Sequence, residues 1–528
     1  MNDETIGWDE LHADLYGPHL LANALNAGTT RPLIYMSDGR VLTVGDVRDL
    51  TSRYVQAFAG YGIRGGTRMA LLSANRPEVL FVGNAASLLG ACVVPLHPMG
   101  SLEDYLYVIE DAGIEVLIFD ATKFQAPAAA IAQRAPGLER LLAIGPSDVG
   151  DDLVAAAERC TAAPLVVPRI TGDEIVRLSY SGGTTGKPKA IMGNQRNGLI
   201  TLTIMLSEWE WPIAPRTLVC APLSHSGAAL FMPTLLKGGS LVVLPGFEPG
   251  AVLEAIEKYR ITCTLLVPTM IYALLDHPRF GDYDLSSLET IFYGASLISP
   301  ARLKEAIERL GPVFFQFYGQ AEAPMTVTVM KKGEHDVSDM RRLASCGRPV
   351  PWVHLALLDN HNQPVADGEP GEICVRGPLV MSGYLNKPEL TAETLAGGWL
   401  HTGDVAVQDP DGFLRIVDRK KDMIVTGGFN VFPREVEDVL SAHPAVAQAA
   451  VIGVAHEKWG EAVKAVVVLR PGASASAEEL MALVREKKGA VQVPKSVDFV
   501  DAIPVTAVGK PDKKTLRARY AAATGCDA

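Results

Sequence analysis

From about Asp46 onward the apolar positions change period in a regular alternation. Residues 47–61 repeat at helical spacing, 68–73 form a short apolar run, and 77–90 return to helical spacing. Residues 91–95 are another short apolar run, and the same rhythm recurs over 218–292. Short β-branched runs between amphipathic helices predict parallel sheets with helices on their faces. Over residues 355–380 the pattern shifts to short strands separated by Asp367-Gly368, Pro370-Gly371 and Gly377-Pro378, which predicts a smaller β-rich subdomain. Apolar runs such as 116–119 and 241–244 have strand length, and none approaches a membrane span.

A charge cluster, Asp418-Arg419-Lys420-Lys421-Asp422, follows a strand-like run at 413–417 and marks an expected boundary. Beyond it, residues 433–441 read as a helix with Pro first and acids in the opening turn. Residues 463–469 read as a strand and 477–487 as a helix, enough for a small α+β unit. The expected organisation is an N-terminal domain over 1–418, a hinge over 419–422 and a C-terminal lid over 423–528. The fold class is α/β: a large N-terminal domain of parallel-type sheets with helices and a small β-rich subdomain, then a smaller mobile α+β domain. One motif is a decoy. Gly60-Tyr61-Gly62-Ile63-Arg64-Gly65 matches the dinucleotide fingerprint, but a helix precedes it and a strand follows, the reverse of what that site needs. These glycines end a helix and turn the chain.

Composition narrows the function classes. The chain has 528 residues, 48% apolar and 20% charged, which is globular and long enough for two or three domains. A net charge of −12 argues against a nucleic-acid binder, yet leaves room for a nucleotide, whose phosphates need only a local positive patch. Seven dispersed cysteines, none in a C-x-x-C pair, suit a reducing cytoplasm and exclude a zinc ribbon or a disulfide framework. Residues 1–15 are acidic and carry no apolar core, so no secretory signal is visible.

The chemistry begins at Ser179–Ala190, read Ser-Tyr-Ser-Gly-Gly-Thr-Thr-Gly-Lys-Pro-Lys-Ala. Gly182, Gly183 and Gly186 let the backbone fold tightly and turn its N–H groups toward an anion. Ser181, Thr184 and Thr185 add hydroxyls, and Lys187 and Lys189 add positive charge. This is a polyphosphate cradle without being a Walker A loop, which needs Gly where Ser181 stands and Ser or Thr where Pro188 stands.

Five further pieces accompany it in order: Tyr318-Gly319-Gln320-Ala321-Glu322, His401-Thr402-Gly403-Asp404, the Asp418–Asp422 cluster, Gly427-Gly428-Phe429-Asn430, and a C-terminal Gly509-Lys510 turn. Together they resemble the adenylate-forming superfamily of acyl-CoA synthetases, aryl-CoA ligases, luciferases and adenylation domains, from about Thr43 to Lys514. The resemblance implies an enzyme that uses ATP and Mg2+ to activate a carboxylic acid, in two steps with a domain rotation between them.

It also implies roles for individual residues. Glu322 is the magnesium ligand, a hard oxygen donor suited to that ion. Tyr318 offers a face to adenine, with Gly294, Ala295, Gln316 and Gly319 around the nucleotide. Asp404 accepts from the ribose hydroxyls and Arg419 adds a fork of donors beside it. Lys510 is the catalytic lysine, bridging two anions that otherwise repel. His225, in Pro222-Leu223-Ser224-His225-Ser226-Gly227, gates the acyl pocket. That pocket is expected to be an apolar slot lined by His225, Phe231, Phe292, Gly294, Ala295, Gln316 and Ala321, favouring a flat aromatic or heteroaromatic acid over another hydrophobic acid such as a medium acyl chain. Gly427, Gly428 and Phe429 line an acceptor tunnel, and Lys420 and Lys421 form the hinge.

Ala321 departs from the family's Thr, Gly182 from its Ser or Thr, and Ala190 from its Gly, which alters the expected phosphate contacts. Coenzyme A is the default acceptor and an amine the alternative, giving an amide bond synthetase. A degenerate nucleotide-binding protein is the reading from another class. No nucleic acid, no membrane span and an optional homodimer complete the expectations.

Overall fold

In the computed structural model, two parallel-type sheets dominate the N-terminal 350 residues. The structure describes residues 14–36, 38–181, 188–420, 422–426, 429–456, 459–505 and 511–524. The residues expected to form most of the phosphate loop (182–187), and also Lys421, Gly427, Gly428 and Lys510, lie outside that set.

The first sheet has seven strands. Its parallel part is built from Arg68–Leu72, Cys92–Pro95, Val116–Asp120, Arg140–Ile144 and Ile175–Ser181, with Lys189–Asn194 returning antiparallel at one edge. The second has nine strands, its centre formed by Arg216–Val219, Ser240–Val243, Cys263–Leu266, Thr290–Tyr293 and the parallel half of Phe314–Gln320. Pro32–Tyr35 joins this second sheet beside Ser240–Val243, although the chain then enters the first sheet. The strands read as continuous apolar runs because both faces are covered. Met69 and Leu71 pack into the core between the sheets, whereas Ala70 and Leu72 pack against helices on the other side.

Helix ends follow local chemistry. Val44–Gly60 starts on Thr43, whose hydroxyl accepts from Asp46 N while Asp46 reaches back to Thr43 N. Pro77–Leu89 opens on Pro and closes on Gly90 at φ 70°, a left-handed turn that glycine adopts without a Cβ penalty. Residues 60–65 do join a helix to the strand Arg68–Leu72.

The β-rich subdomain is a four-stranded antiparallel sheet of His354–Leu358, Gly371–Arg376, Leu400–Gln408 and Leu414–Arg419. Its last strand runs further than the 413–417 expected, so Asp418 and Arg419 belong to the sheet. Beyond it, residues 424–516 carry their own apolar clusters around Gly460–Leu469 and Val446–His456, with Pro433–Ser441, Ala477–Lys488 and Lys513–Thr524 as helices. No described helix is long and apolar enough to cross a membrane. Six cysteines, Cys92, Cys160, Cys220, Cys263, Cys346 and Cys374, are free.

Candidate active site

Several of the described site residues stand where parallel strands end at their carboxyl termini, the place where open α/β sheets bind ligands. Ser181 ends Ile175–Ser181, Gly294 and Ala295 follow Thr290–Tyr293, and the turn of Glu322 follows Phe314–Gln320. Asn75 stitches the two sheets together at this end, donating to Ala221 O at 2.9 Å and accepting from Leu223 N at 2.7 Å.

Close approach explains two glycines. A Cβ on Gly294 would enter the Phe317 carbonyl, and one on Gly319 would meet Met325 N and lie 2.6 Å from Ala323 O. Both therefore keep the strand ends tight against their neighbours. Ala295 sits at φ 64° and Met325 at φ 55°, left-handed conformations that cost residues with a Cβ and gather at functional turns.

Asp404 is the centre of one cluster. It is 5% exposed, and its Oδ2 accepts from Tyr318 Oη at 2.8 Å while Arg419 Nε lies 3.1 Å from Oδ1. Burial, then the Asp404 charge, hold the Tyr318 phenol well above its ordinary value, so it remains a donor. The turn bearing Asp404 is fixed from behind by Glu372. Its Oε1 accepts from Gly403 N at 2.9 Å, and its Oε2 lies 3.1 Å from both His401 Nδ1 and Lys420 Nζ. Cys374 Sγ lies 3.4 Å from the same His401 nitrogen, and burial pushes that thiol up to about 12, leaving it protonated.

Glu322, 8% exposed, forms a second cluster with Lys189 and Tyr384. Gln316 is 4% exposed, and its Oε1 has no partner among the described residues, a buried acceptor directed at no protein donor.

His225 accepts from or donates to Ser224 Oγ at 2.9 Å and meets His97 edge-on, ring centres 5.0 Å apart. Burial, with His97 and Arg177 nearby, pulls His225 down to about 4, so it is neutral at neutral pH. Phe231 and Phe292 are buried, Phe292 completely, in a cluster where Trp209 stands 4.8 Å from Phe292 and 4.9 Å from Phe317. Of the residues expected to line the acyl slot, Phe231 and Phe292 thus belong to the core, whereas Ala295 and Ala321 are exposed.

Around the expected hinge, one described contact stays beside the β-rich sheet and others reach the residues that follow it. Lys420 N donates to Gly403 O at 2.8 Å, Asp418 Oδ2 accepts from Arg434 N at 2.9 Å, and Arg434 reaches the Ile298 carbonyl at 3.3 Å. Burial pushes the Asp418 carboxyl up to about 6. Phe429 opens the strand Phe429–Val431.

Reading the sequence missed Tyr384, His97, Asn75 and Glu372. His97 and Asn75 stand two and three residues past strand ends, a position that could have flagged them. Tyr384 and Glu372 carried no comparable local signal.

The chain matches the family described as AMP-binding enzyme over residues 22–385 and the AMP-binding enzyme C-terminal domain over 435–510. A medium/long-chain-fatty-acid–CoA ligase of Mycobacterium tuberculosis is 51% identical, across 98% of this chain and 93% of that one. A feruloyl-CoA synthase of Amycolatopsis is 38% identical, across 91% and 94%. The solved amide bond synthetase McbA of Marinactinospora thermotolerans superposes with a TM-score of 0.87 at 35% identity, across 95% of this chain and 99% of that one. The loop, the Glu322 turn and the Asp404 cluster thus stand in a chain that belongs to the AMP-binding enzymes, the adenylate-forming superfamily its motifs resemble.

Proposed function

We propose that this chain is an ATP-dependent, AMP-forming ligase that activates a hydrophobic carboxylic acid as its acyl-adenylate and passes the acyl group to coenzyme A. The observation that carries this reading is the buried Asp404 carboxylate held between Tyr318 Oη and Arg419 Nε. An acid in that position accepts from vicinal ribose hydroxyls, and the tyrosine ring beside it offers adenine an apolar face. The unpartnered Gln316 Oε1 suits an exocyclic amine.

In the first step a carboxylate oxygen attacks the α-phosphorus in line, the bond to the bridging oxygen breaks, and pyrophosphate leaves. In this scheme residues 181–189 hold the departing phosphates, and the positive charge of Lys510 offsets the charge that develops between carboxylate and phosphate. Glu322 fits a magnesium ion through a hard oxygen, and the ion when bound neutralises phosphate charge. In the second step the thiol attacks the adenylate carbonyl and AMP departs. His225, being neutral, orients and gates in this scheme and carries no positive charge.

The relatives named as CoA ligases support coenzyme A as acceptor, and the Gly427-Gly428-Phe429 string is the one this reading assigns to its pantetheine arm. A rotation at Lys420–Lys421 has to release Lys420 from Glu372 and Arg434 N from Asp418. The aromatic cluster of Trp209, Phe292 and Phe317 suits fatty and aromatic acids alike. Incubating the enzyme with ATP, Mg2+ and a panel of fatty and aromatic acids, with either coenzyme A or amines, tests the reading by product mass. Acyl-CoA is expected; amides formed without any acyl-CoA would reassign the acceptor, and no AMP with any acid would defeat the enzyme reading.

A further inference from the structure

Tyr384 sits between the two charged groups that flank the expected phosphate site. Its Oη donates to Glu322 Oε1 at 2.8 Å, and Lys189 Nζ donates to the same Oη at 2.5 Å. The ammonium also lies 3.5 Å from Glu322 Oε1 and 3.9 Å from the centre of the Tyr384 ring. The phenol O–H donates and the Glu322 carboxylate oxygen accepts, so one hydroxyl joins the acid to the ammonium. Glu322 Oε2 takes no hydrogen bond from the described residues.

The backbone shows why the contact is firm. Met192 N donates to Gly383 O at 2.9 Å and Leu385 N to Ala190 O at 3.0 Å, and Ile191 bridges Tyr384. Residues 381–385 thus lie along Lys189–Asn194 like one more strand, at the exit of the phosphate loop. Met381 N donates to Glu322 O at 2.8 Å and pins the same segment to the acidic turn. Three distant pieces of chain converge on one hydroxyl.

We propose that Tyr384 is a positioning residue that holds Oε1 of Glu322 and the Lys189 ammonium together, so that Oε2 alone is presented to the metal of an ATP complex. This rests on the ATP–magnesium reading given above. A carboxylate with one oxygen held offers a single vertex, which suits the small octahedral Mg2+, whereas the larger Ca2+ readily takes both oxygens of one carboxylate. Tyr384 therefore biases the site toward Mg2+ over Ca2+.

Calorimetric ATP titration of the full-length protein in Mg2+, in Ca2+ and in EDTA tests this. For Tyr384→Phe, which keeps the ring over Lys189, affinity in Mg2+ is expected to fall about tenfold, the scale of a lost hydrogen bond to a charged group. The Mg2+/Ca2+ affinity ratio is expected to fall with it, while affinity in EDTA and the melting temperature hold. Tyr384→His, which keeps a donor, is expected to restore much of the ratio and serves if the Phe variant does not fold. A Phe variant with an unchanged ratio, equal losses in all three conditions, or a His variant that fails to restore the ratio would overturn the assignment of Tyr384 alone. A wild type that binds ATP in none of the three would overturn the parent reading with it.

Discussion

Asp404 and Arg419 are register partners on adjacent antiparallel strands, and their side chains close the pair with Oδ1 and Nε 3.1 Å apart. The pairing places a carboxylate, its counter-charge and the Tyr318 hydroxyl at one point without any loop having to be ordered. The Asp404 charge is also the first cause that holds the Arg419 guanidinium above its ordinary value.

Asp404→Ala removes the acceptor for Tyr318 and the partner of Arg419. The KM for ATP in pyrophosphate exchange is expected to rise roughly tenfold to a hundredfold, the range for losing charge-assisted hydrogen bonds. Asp404→Asn keeps an acceptor and should lose less. An ATP KM within twofold of wild type for the Ala variant would remove Asp404 from the nucleotide site.

Gly319→Ala would drive a methyl group into the backbone of Met325 and Ala323. Those contacts are backbone and cannot swing aside, so the turn bearing Glu322 must shift. We expect a loss of about 1–3 kcal/mol in stability, typical of overpacking, together with weaker pyrophosphate exchange. Gly311→Ala, at a site with no atoms in the way but φ of 83°, separates backbone strain from crowding: stability should fall there while exchange is spared.

Two histidines set an acid limb on stability. Burial pulls His225 and His335 from 6.5 down to about 4, and His335 is held by Tyr293 Oη at 2.9 Å. Between those values the unfolded chain binds protons that the native chain refuses, so stability falls as pH drops from 6.5 towards 4. Asp418, pushed up to about 6, has the opposite sign: its contribution is present below its ordinary 3.8 and is lost as pH rises through about 6. His97, lowered by burial, adds to the histidine side and Asp438, raised by burial, to the Asp418 side, so three groups stand against two and the melting temperature should decline on acidification through this window. His335→Gln should flatten that decline; an identical slope in variant and wild type would contradict the account.

Lys510→Ala should abolish adenylate formation from acid and ATP while sparing much of the transfer from preformed acyl-adenylate to coenzyme A. The two half-reactions, assayed separately, decide it. Equal loss in both would mean the lysine supports folding or docking instead of the first step.

Much of the fold was legible along the chain. The helix at Pro433–Ser441 and the strand at Arg68–Leu72 follow from periodicity and from Pro and Gly placement, which are properties of a few consecutive residues. The motif residues Tyr318, Glu322, Asp404 and Arg419 were legible as well, each inside a short string with its own turn chemistry. The aromatic cluster behind Phe292 was not. Trp209, at the end of the helix Gln195–Glu208, packs against Phe292 and Phe317 on two separate strands, an arrangement of elements far apart in sequence.

What the amino-acid order determined by itself was local: where helices start and stop, which runs are buried on both faces, and which short strings mark the chain as a family member. Only the tertiary structure decided that Tyr384, 62 residues from Glu322 and 195 from Lys189, lies between them. The reason is physical: periodicity records which face of an element is apolar, whereas the meeting of three side chains depends on how crossover connections bring separate strand ends to one edge.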